Sequence, residues 1–305
     1  MQMLTEDIYL FFGHPIIVRS NSKEVLAHLR LVYSRFYRGS DSDHSYGENL
    51  LNTSGTSLEI IDDIAGNNEI VIKDRLRTYR FACSDIHSHE QETFDPLGAI
   101  QWFMLWTASN LAKDYSFIHA GAVASKKGGI IFPAVSGFGK TTLAIRLVQK
   151  GYRFLSDEVA CINVVQNRIE PFPRKINLTD ESRILLRLPP WDDPIDRLKR
   201  PGVRKGMLDI EEIVADSLSE PCTPGYIFFL MGFGEKPRLE RIAPSHALFH
   251  IFRFSISSVD NPGSYLFSHA PLFNTVQCFN LVIGDLDETA DLIMHMTDQG
   301  KLCNG

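Results

Sequence analysis

Short apolar runs surround one amphipathic segment in the N-terminal part of the chain. Apolar residues at i, i+3 and i+4 are typical of a helix, and short apolar or alternating runs bounded by turn residues are typical of strands. The pattern predicts a helix over residues 22–36, with Ser22 as its N-cap, and an exposed polar loop over 38–57. It predicts strands over residues 8–12, 16–18, 57–61, 69–73 and 79–82. Together these elements make a small α/β unit of about 90 residues, near the lower end of usual domain size.

The rest of the chain carries longer apolar elements. Asp95-Pro96 marks the start of a buried helix over 97–112, which is too short to cross a bilayer. Further helices are predicted over 142–150, over 247–254 with Ser245 as cap, and from Asp287 as cap to 296. Strands are predicted over 116–124, 129–133, 153–156, 159–165, 168–173 and 226–230. We therefore expect two domains, a small α/β unit over 1–95 and a larger α/β domain with a mixed sheet over 96–305.

Composition narrows the class of protein. The chain has 305 residues, of which 44% are hydrophobic and 22% charged, as in ordinary globular proteins. A formal net charge of −6 argues against binding to nucleic acid, which needs a basic surface. The five cysteines are scattered and lack C-x-x-C spacing, which favours reduced thiols in a cytoplasmic protein. No apolar span calls for a membrane, so neither nucleic acid nor membrane is expected as a partner.

A glycine-rich stretch stands between the predicted strand 129–133 and the predicted helix 142–150. It reads Ser136, Gly137, Phe138, Gly139, Lys140, Thr141 and Thr142. Strand, glycine loop and helix form the context of a phosphate-binding loop, in which backbone N–H groups and a helix N-terminus surround the phosphates. Lys140 would reach the β- and γ-phosphate oxygens of a nucleotide, and Thr141 would bind Mg²⁺. Ala134 replaces the first glycine of the usual pattern, which requires that its φ be negative.

Candidate catalytic residues flank this loop in the sequence. Asp157 and Glu158 follow the predicted strand 153–156, where a phosphoryl-transfer site needs a metal ligand and a base. His119 lies in the apolar strand that leads into the loop strand, so it is either a core histidine or a group near the γ-phosphate. Arg174 and Lys175 would neutralise phosphate charge, although basic residues at the end of a hairpin are usually solvated. His87, His89 and Glu90 raise a metal alternative, which lacks the further His/Cys pair of a zinc site.

The residues around the loop resemble the catalytic domain of HPr kinase/phosphorylase. The similarity covers residues 117–165 and is carried by the His119 strand, the loop, and the Gly-Tyr-Arg-Phe-Leu-Ser-Asp-Glu stretch that ends at Glu158. The resemblance implies a P-loop kinase fold of the HPr kinase and PEP carboxykinase-like type. It also implies that Lys140 and Thr141 hold ATP and Mg²⁺, that Asp157 and Glu158 share the base and metal roles, and that His119 is the active-site histidine. Since these kinases form homo-oligomers, the resemblance allows the same here.

The stretch 172–178 and the N-terminal unit look more like HPr-kinase-related proteins that accompany modified-peptide clusters and phosphorylate a serine of a lasso precursor peptide. The leading hypothesis is thus an ATP- and Mg²⁺-dependent serine kinase that acts on a peptide or protein hydroxyl. Two alternatives stay open. One is a kinase for a small-molecule hydroxyl, with the polar stretch 189–206 as a lid. The other is a nucleotide-sensing regulator or slow ATPase that transfers no phosphoryl group to an acceptor.

Overall fold

The structure is a computed structural model that describes residues 4–40, 56–63, 69–73, 78–82, 96–191, 205–256, 270, 272–273 and 275–299. It is a mixed α/β protein with several sheets. The chain divides into two compact units, with the change between Ala112 and Lys113. The helices of the described residues are α1 (Lys23–Val32), α2 (Pro96–Leu111), α3 (Lys140–Gln149), α4 (Asp180–Leu185), α5 (Ile210–Ile213), α6 (Pro244–Phe252) and α7 (Leu286–Gln299). None of these helices combines the length and the apolar character that crossing a membrane requires.

The first unit is built on a six-stranded sheet. Its strands are β1 (Thr5–Phe11), β2 (His14–Ser20), β3 (Tyr37–Ser40), β4 (Thr56–Asp63), β5 (Glu69–Lys73) and β6 (Thr78–Ala82), in the order β3-β1-β2-β4-β5-β6. Phe12 and Gly13 join β1 to β2, both with positive φ (51° and 83°), as a two-residue hairpin turn of this kind requires. The predicted loop 38–57 is therefore wrong at both ends, since β3 and β4 extend into it, and residues 41–55 lie outside the described residues.

Helix α2 packs in the first unit. The Tyr33 hydroxyl at the end of α1 donates to the carbonyl oxygen of Gln101 (3.1 Å), and the Gln101 side chain lies 2.7 Å from His28 Nε2. The sequence pattern placed this helix at the start of the larger domain, whereas its contacts are with α1 and β2. An almost wholly apolar helix carries no signal for which of two sheets it covers, which explains the difference.

The second unit is built on an eight-stranded mixed sheet. Its strands are β7 (Tyr115–Ser125), β8 (Gly128–Pro133), β9 (Arg153–Ser156), β10 (Val159–Asn163), β11 (Arg168–Glu170), β14 (Pro224–Phe233), β15 (Arg238–Arg241) and β16 (Gln277–Ile283). The order is β11-β10-β7-β8-β14-β16-β15, and β9 also pairs with β7. Strands β8, β14 and β16 are parallel, while β7 runs antiparallel to β8 as the hairpin prediction required. A separate hairpin joins β12 (Ile176–Thr179) and β13 (Lys205–Leu208).

Both faces of this sheet are covered. Along β14, Tyr226, Phe228 and Leu230 pack into one apolar cluster with α3 and α7. The intervening Ile227 and Phe229 pack into a second cluster with α6. The continuous apolar run in β14 follows from this arrangement, since a strand buried on both faces does not alternate with polar residues. The result places α3 on one face of the sheet.

Two predicted helix caps are wrong. Ser245 lies inside α6, whose N-cap is Ala243, because Pro244 takes the first helical position that proline favours. Asp287 lies within the first turn of α7. The cap is supplied by Asp285, whose Oδ1 accepts from the N–H groups of Asp287 (2.8 Å) and Glu288 (3.1 Å). An acidic side chain in the first turn is favourable there for the same electrostatic reason that makes acids good caps.

Candidate functional site

The glycine-rich loop connects the carboxyl end of β8 to the start of α3. Gly137 and Gly139 both have positive φ, 85° and 80°, and Gly139 is the N-cap of α3. Any side chain at these two positions would be strained, so the spacing of the glycines has a backbone cause. Ala134 does not have positive φ, which meets the condition set by the sequence. Ser136 and Gly137 are exposed, so the loop presents its outer edge to solvent.

Lys140 folds back over the loop from the first turn of α3. Its Nζ donates to the carbonyl oxygens of Ala134 (2.9 Å) and Val135 (3.1 Å), and the residue is only 6% exposed. Burial lowers the pKa of Lys140, while Glu158 and Asp157 act in the opposite direction. The ammonium group therefore lies inside the loop, among carbonyl oxygens and near two acids.

The two threonines that follow differ in their contacts. Thr142 donates from Oγ1 to Ser182 Oγ on α4 at 2.9 Å, so its hydroxyl ties α3 to a neighbouring helix. Thr141 is half-buried, and within the described part of the chain its hydroxyl makes no side-chain hydrogen bond. Phe138 packs against the apolar cluster under α3. Thr142 thus has a structural partner, and Thr141 is the threonine of the loop that could hold a metal ion.

Asp157 and Glu158 lie between two strands, β9 and β10, that pair with successive parts of β7. Strands β9 and β10 run in the same direction and both pair antiparallel with β7, and the two acids lie between them. The carbonyl oxygen of Glu158 accepts from the N–H of Ala120 at 3.0 Å. A Cβ built at Gly121 would lie 3.4 Å from the Lys140 carbonyl oxygen and 3.7 Å from that of Asp157. The start of α3 and Asp157 therefore both lie close to Gly121 of β7.

Asp157 is a deeply buried acid. It is 1% exposed, and burial raises its pKa from 3.8 to about 6, although Arg174 acts to lower it. Arg174 Nε lies 3.8 Å from Asp157 Oδ1, beyond hydrogen-bonding distance, and Oδ1 has no hydrogen-bond partner among the described residues. A carboxylate with a pKa near neutrality and an unsatisfied oxygen has the properties of a general base or a metal ligand.

Glu158 connects the acid pair to His119. His119 Nδ1 lies 3.3 Å from Glu158 Oε1, and Arg174 Nη2 lies 3.2 Å from Glu158 Oε2. The contact follows from the strand register, because Val159 pairs opposite His119. Burial lowers the pKa of His119, and Glu158 acts to raise it. The structure thus brings together four of the predicted catalytic positions, Lys140, Asp157, Glu158 and His119, around the end of the loop.

Arg174 is a buried residue of the charge cluster, although the sequence predicted that basic residues at this hairpin end would usually be solvated. It is 6% exposed and contacts both acids, whereas Lys175 pairs with Glu212 at 2.7 Å, outside this cluster. The reason is a long-range turn: the N–H of buried Phe172 donates to the carbonyl oxygen of Leu155 at 2.8 Å, which returns the chain to β9. The one sequence signal was an apolar Phe172 between two prolines, where a solvated hairpin end would be polar.

The described residues contain no group of three or more His, Cys, Asp or Glu side chains arranged to hold a metal ion. His87, His89 and Glu90 lie outside those residues. A Mg²⁺ ion does not need such a group, since proteins often bind it through one or two carboxylates together with phosphate oxygens and water. Asp157, with its unsatisfied oxygen, and Thr141 fit that pattern.

Comparison with known proteins gives little further information. No protein-family model matches the chain, and no curated protein matches it. Among solved structures, the chain is similar to the Hpr(Ser) kinase/phosphatase from Coxiella burnetii, with a TM-score of 0.31 and 11% sequence identity. The match covers 60% of this chain and 94% of that one. Membership of the HPr kinase family therefore stays a prediction from the sequence.

Proposed function

We propose that the second unit is an ATP- and Mg²⁺-dependent kinase that transfers the γ-phosphoryl group to a Ser or Thr hydroxyl of a peptide or protein. The observation that carries the proposal is Asp157, a buried carboxyl group with a pKa of about 6, beside the loop that carries Lys140. General-base catalysis works best when the pKa of the base is close to the working pH.

The loop supports phosphate binding by its backbone and by one cation. Gly137 and Gly139 have the left-handed backbone that allows a loop to turn its N–H groups toward an anion, and Gly139 begins the N-terminus of α3 at the same point. Lys140 now donates to two neutral carbonyl oxygens. Phosphate oxygens would replace them as stronger, anionic acceptors.

The acidic pair supports the transfer step. The acceptor hydroxyl oxygen would form a bond to the γ-phosphorus, the bond from that phosphorus to the β–γ bridging oxygen would break, and ADP would leave. Asp157 would take the hydroxyl proton, and Arg174 would balance the charge of both acids. Thr141 and a carboxylate of the pair would hold Mg²⁺, which neutralises charge on the phosphates when bound. His119 would orient Glu158 through the contact between Nδ1 and Oε1.

The peptide acceptor rests on the sequence resemblance to kinases of modified-peptide clusters. A small-molecule hydroxyl would use the same loop and the same base. The non-transferring regulator would use the loop alone, with Arg174 holding the acids in a purely structural pair. These three differ in what accepts the phosphoryl group, and transfer assays therefore separate them.

The test is phosphoryl transfer from γ-labelled ATP with Mg²⁺ to a library of Ser- and Thr-containing peptides and to a set of metabolites. The wild type is expected to label a peptide, while Lys140→Ala is expected to lose most nucleotide affinity. Asp157→Asn is expected to bind ATP and to lose transfer. Lys113→Ala, at an exposed lysine, is the matched control. If wild type and Asp157→Asn bind ATP equally and neither transfers a phosphoryl group to any acceptor, the non-transferring regulator would be the better hypothesis. Absence of ATP binding would refute the proposal.

A further inference from the structure

An aromatic surface lies beside the loop, on the side away from the acids. At the end of β14, Met231 is 52% exposed and Phe233 is 67% exposed. Phe138 is half-buried against the apolar cluster under α3. Large apolar side chains are normal on a surface when they occur singly, but aromatic side chains grouped beside a glycine loop suggest a ligand. We call Phe233 and Phe138 the aromatic surface.

The aromatic surface contacts the loop backbone. A Cβ built at Gly139 would lie 3.6 Å from Phe233 Cε1 and Cζ, so the ring of Phe233 lies against the N-cap of α3. A Cβ built at Gly232, where φ is 121°, would lie 3.5 Å from Phe138 Cε1. The pairing of β14 with β16 shifts by one residue between Leu230 and Gly232, which is a β-bulge at Met231. Bulges of this kind turn side chains out of the regular strand and often lie next to binding sites.

The sheet order places this surface opposite the acids. Strand β8, which leads into the loop, has β7 on one side and β14 on the other. Asp157 and Glu158 lie beside β7, on its far side from β8. Because β8, β14 and β16 are parallel, their carboxyl ends meet at one edge of the sheet, and the loop and Phe233 both lie there. A nucleotide with its γ-phosphate toward Asp157 would extend its nucleoside toward β14.

We propose that the aromatic surface stacks the purine base of the nucleotide, with Phe233 as the main contact. This inference rests on the proposed function, since it needs the triphosphate in the loop. The base is the one flat, uncharged part of ATP, and an exposed phenyl ring offers it a stacking partner without any charged group. Half-buried Phe138 holds the loop side of the surface in place.

The experiment compares two ligands that share phosphates and differ in the base. Affinities for ATP and for inorganic tripolyphosphate are measured by titration calorimetry with wild type and Phe233→Ala, both with Mg²⁺. Stacking on an aromatic side chain changes affinity by about fivefold to about a hundredfold. We expect Phe233→Ala to weaken ATP by that factor and to leave tripolyphosphate within about twofold. Phe233→Tyr, which keeps the ring, is expected to bind ATP like the wild type.

Phe249→Ala is the matched control. The exposed fraction of Phe249, 64%, is similar to that of Phe233, 67%. Phe249 lies on α6, which covers the other face of the sheet. Loss of both ligands in Lys140→Ala but only of ATP in Phe233→Ala would support both proposals. Equal effects of Phe233→Ala on the two ligands, or no effect on either, would overturn the base site and leave the phosphate site standing. Failure of the wild type to bind either ligand would overturn the proposed function and this inference with it.

Discussion

Asp157→Asn is expected to gain stability relative to the wild type as the pH rises toward neutrality, and to lose most of the phosphoryl transfer. Burial raises the pKa of Asp157 from 3.8 to about 6. Between these values the folded protein still holds a proton that the unfolded chain has released. The free energy of unfolding therefore falls as the pH rises through this window, and the full loss is present above the folded pKa.

The magnitude follows from the size of the pKa difference. About two pH units correspond to about 3 kcal/mol in full, of which about 2 kcal/mol falls between about pH 4.5 and about pH 7.5. Asparagine cannot ionise and keeps nearly the same shape, so the variant lacks this loss. The stability of Asp157→Asn relative to wild type should thus increase by about 2 kcal/mol from the lower pH to the higher.

Urea denaturation at the two pH values measures this difference. Asp114→Asn, which removes one carboxylate from an exposed position, is the control. Transfer activity of Asp157→Asn should fall by about 10²- to 10⁴-fold, the usual contribution of a general base. A relative stability that does not change with pH would show that Asp157 is not a desolvated charge, and the reasoning would fail.

Two further predictions concern the same site. Arg174→Met removes a positive charge that lies 3.8 Å from Asp157 Oδ1, so the pKa of Asp157 should rise and the acidic limb of the kcat/KM profile should move to higher pH; an unmoved limb would contradict this. Gly139→Ala should lower the unfolding free energy by more than Gly137→Ala, measured by thermal melting. Both positions have positive φ, worth about 1 kcal/mol or more, but a Cβ at Gly139 would also lie 3.3 Å from Ile283 Cδ1, whereas one at Gly137 meets nothing within 4 Å. Equal losses would contradict the crowding argument.

Local signals predicted the elements that carry the loop. The bounds of β9 agree with the predicted strand 153–156, and β8 and α3 differ from their predictions by one or two residues. These elements were predictable because glycine conformation, a lysine–glycine helix end and apolar runs act within a few residues. The effect of Ala134 was predictable for the same reason, because an alanine at this position requires only that its φ be negative.

The charge cluster depended on pairings that no short window contains. His119 and Glu158 come together because β10 pairs with β7 in one particular register, and a shift by one residue would turn His119 to the other face. Arg174 lies near the acids because the backbone N–H of Phe172 donates a hydrogen bond to the carbonyl oxygen of Leu155, a residue that is distant in the sequence. The sequence therefore indicated the two acids as candidates, but not that an arginine would lie between their carboxyl groups.

The proposed phosphate site would account for a charge cluster that stability alone does not explain. Burial shifts the pKa of Lys140, His119 and Asp157 toward the neutral form of each group, so the fold pays in stability for holding all three at this point. Buried ion pairs of this kind are often no more stabilising than apolar residues of the same volume. Arg174 is matched by two carboxylates, whereas the hydrogen bonds of Lys140 go to uncharged carbonyl oxygens. Of these two cations, Lys140 is the one whose closest acceptors carry no charge. In the proposed function, a phosphate group would supply a charged acceptor for it.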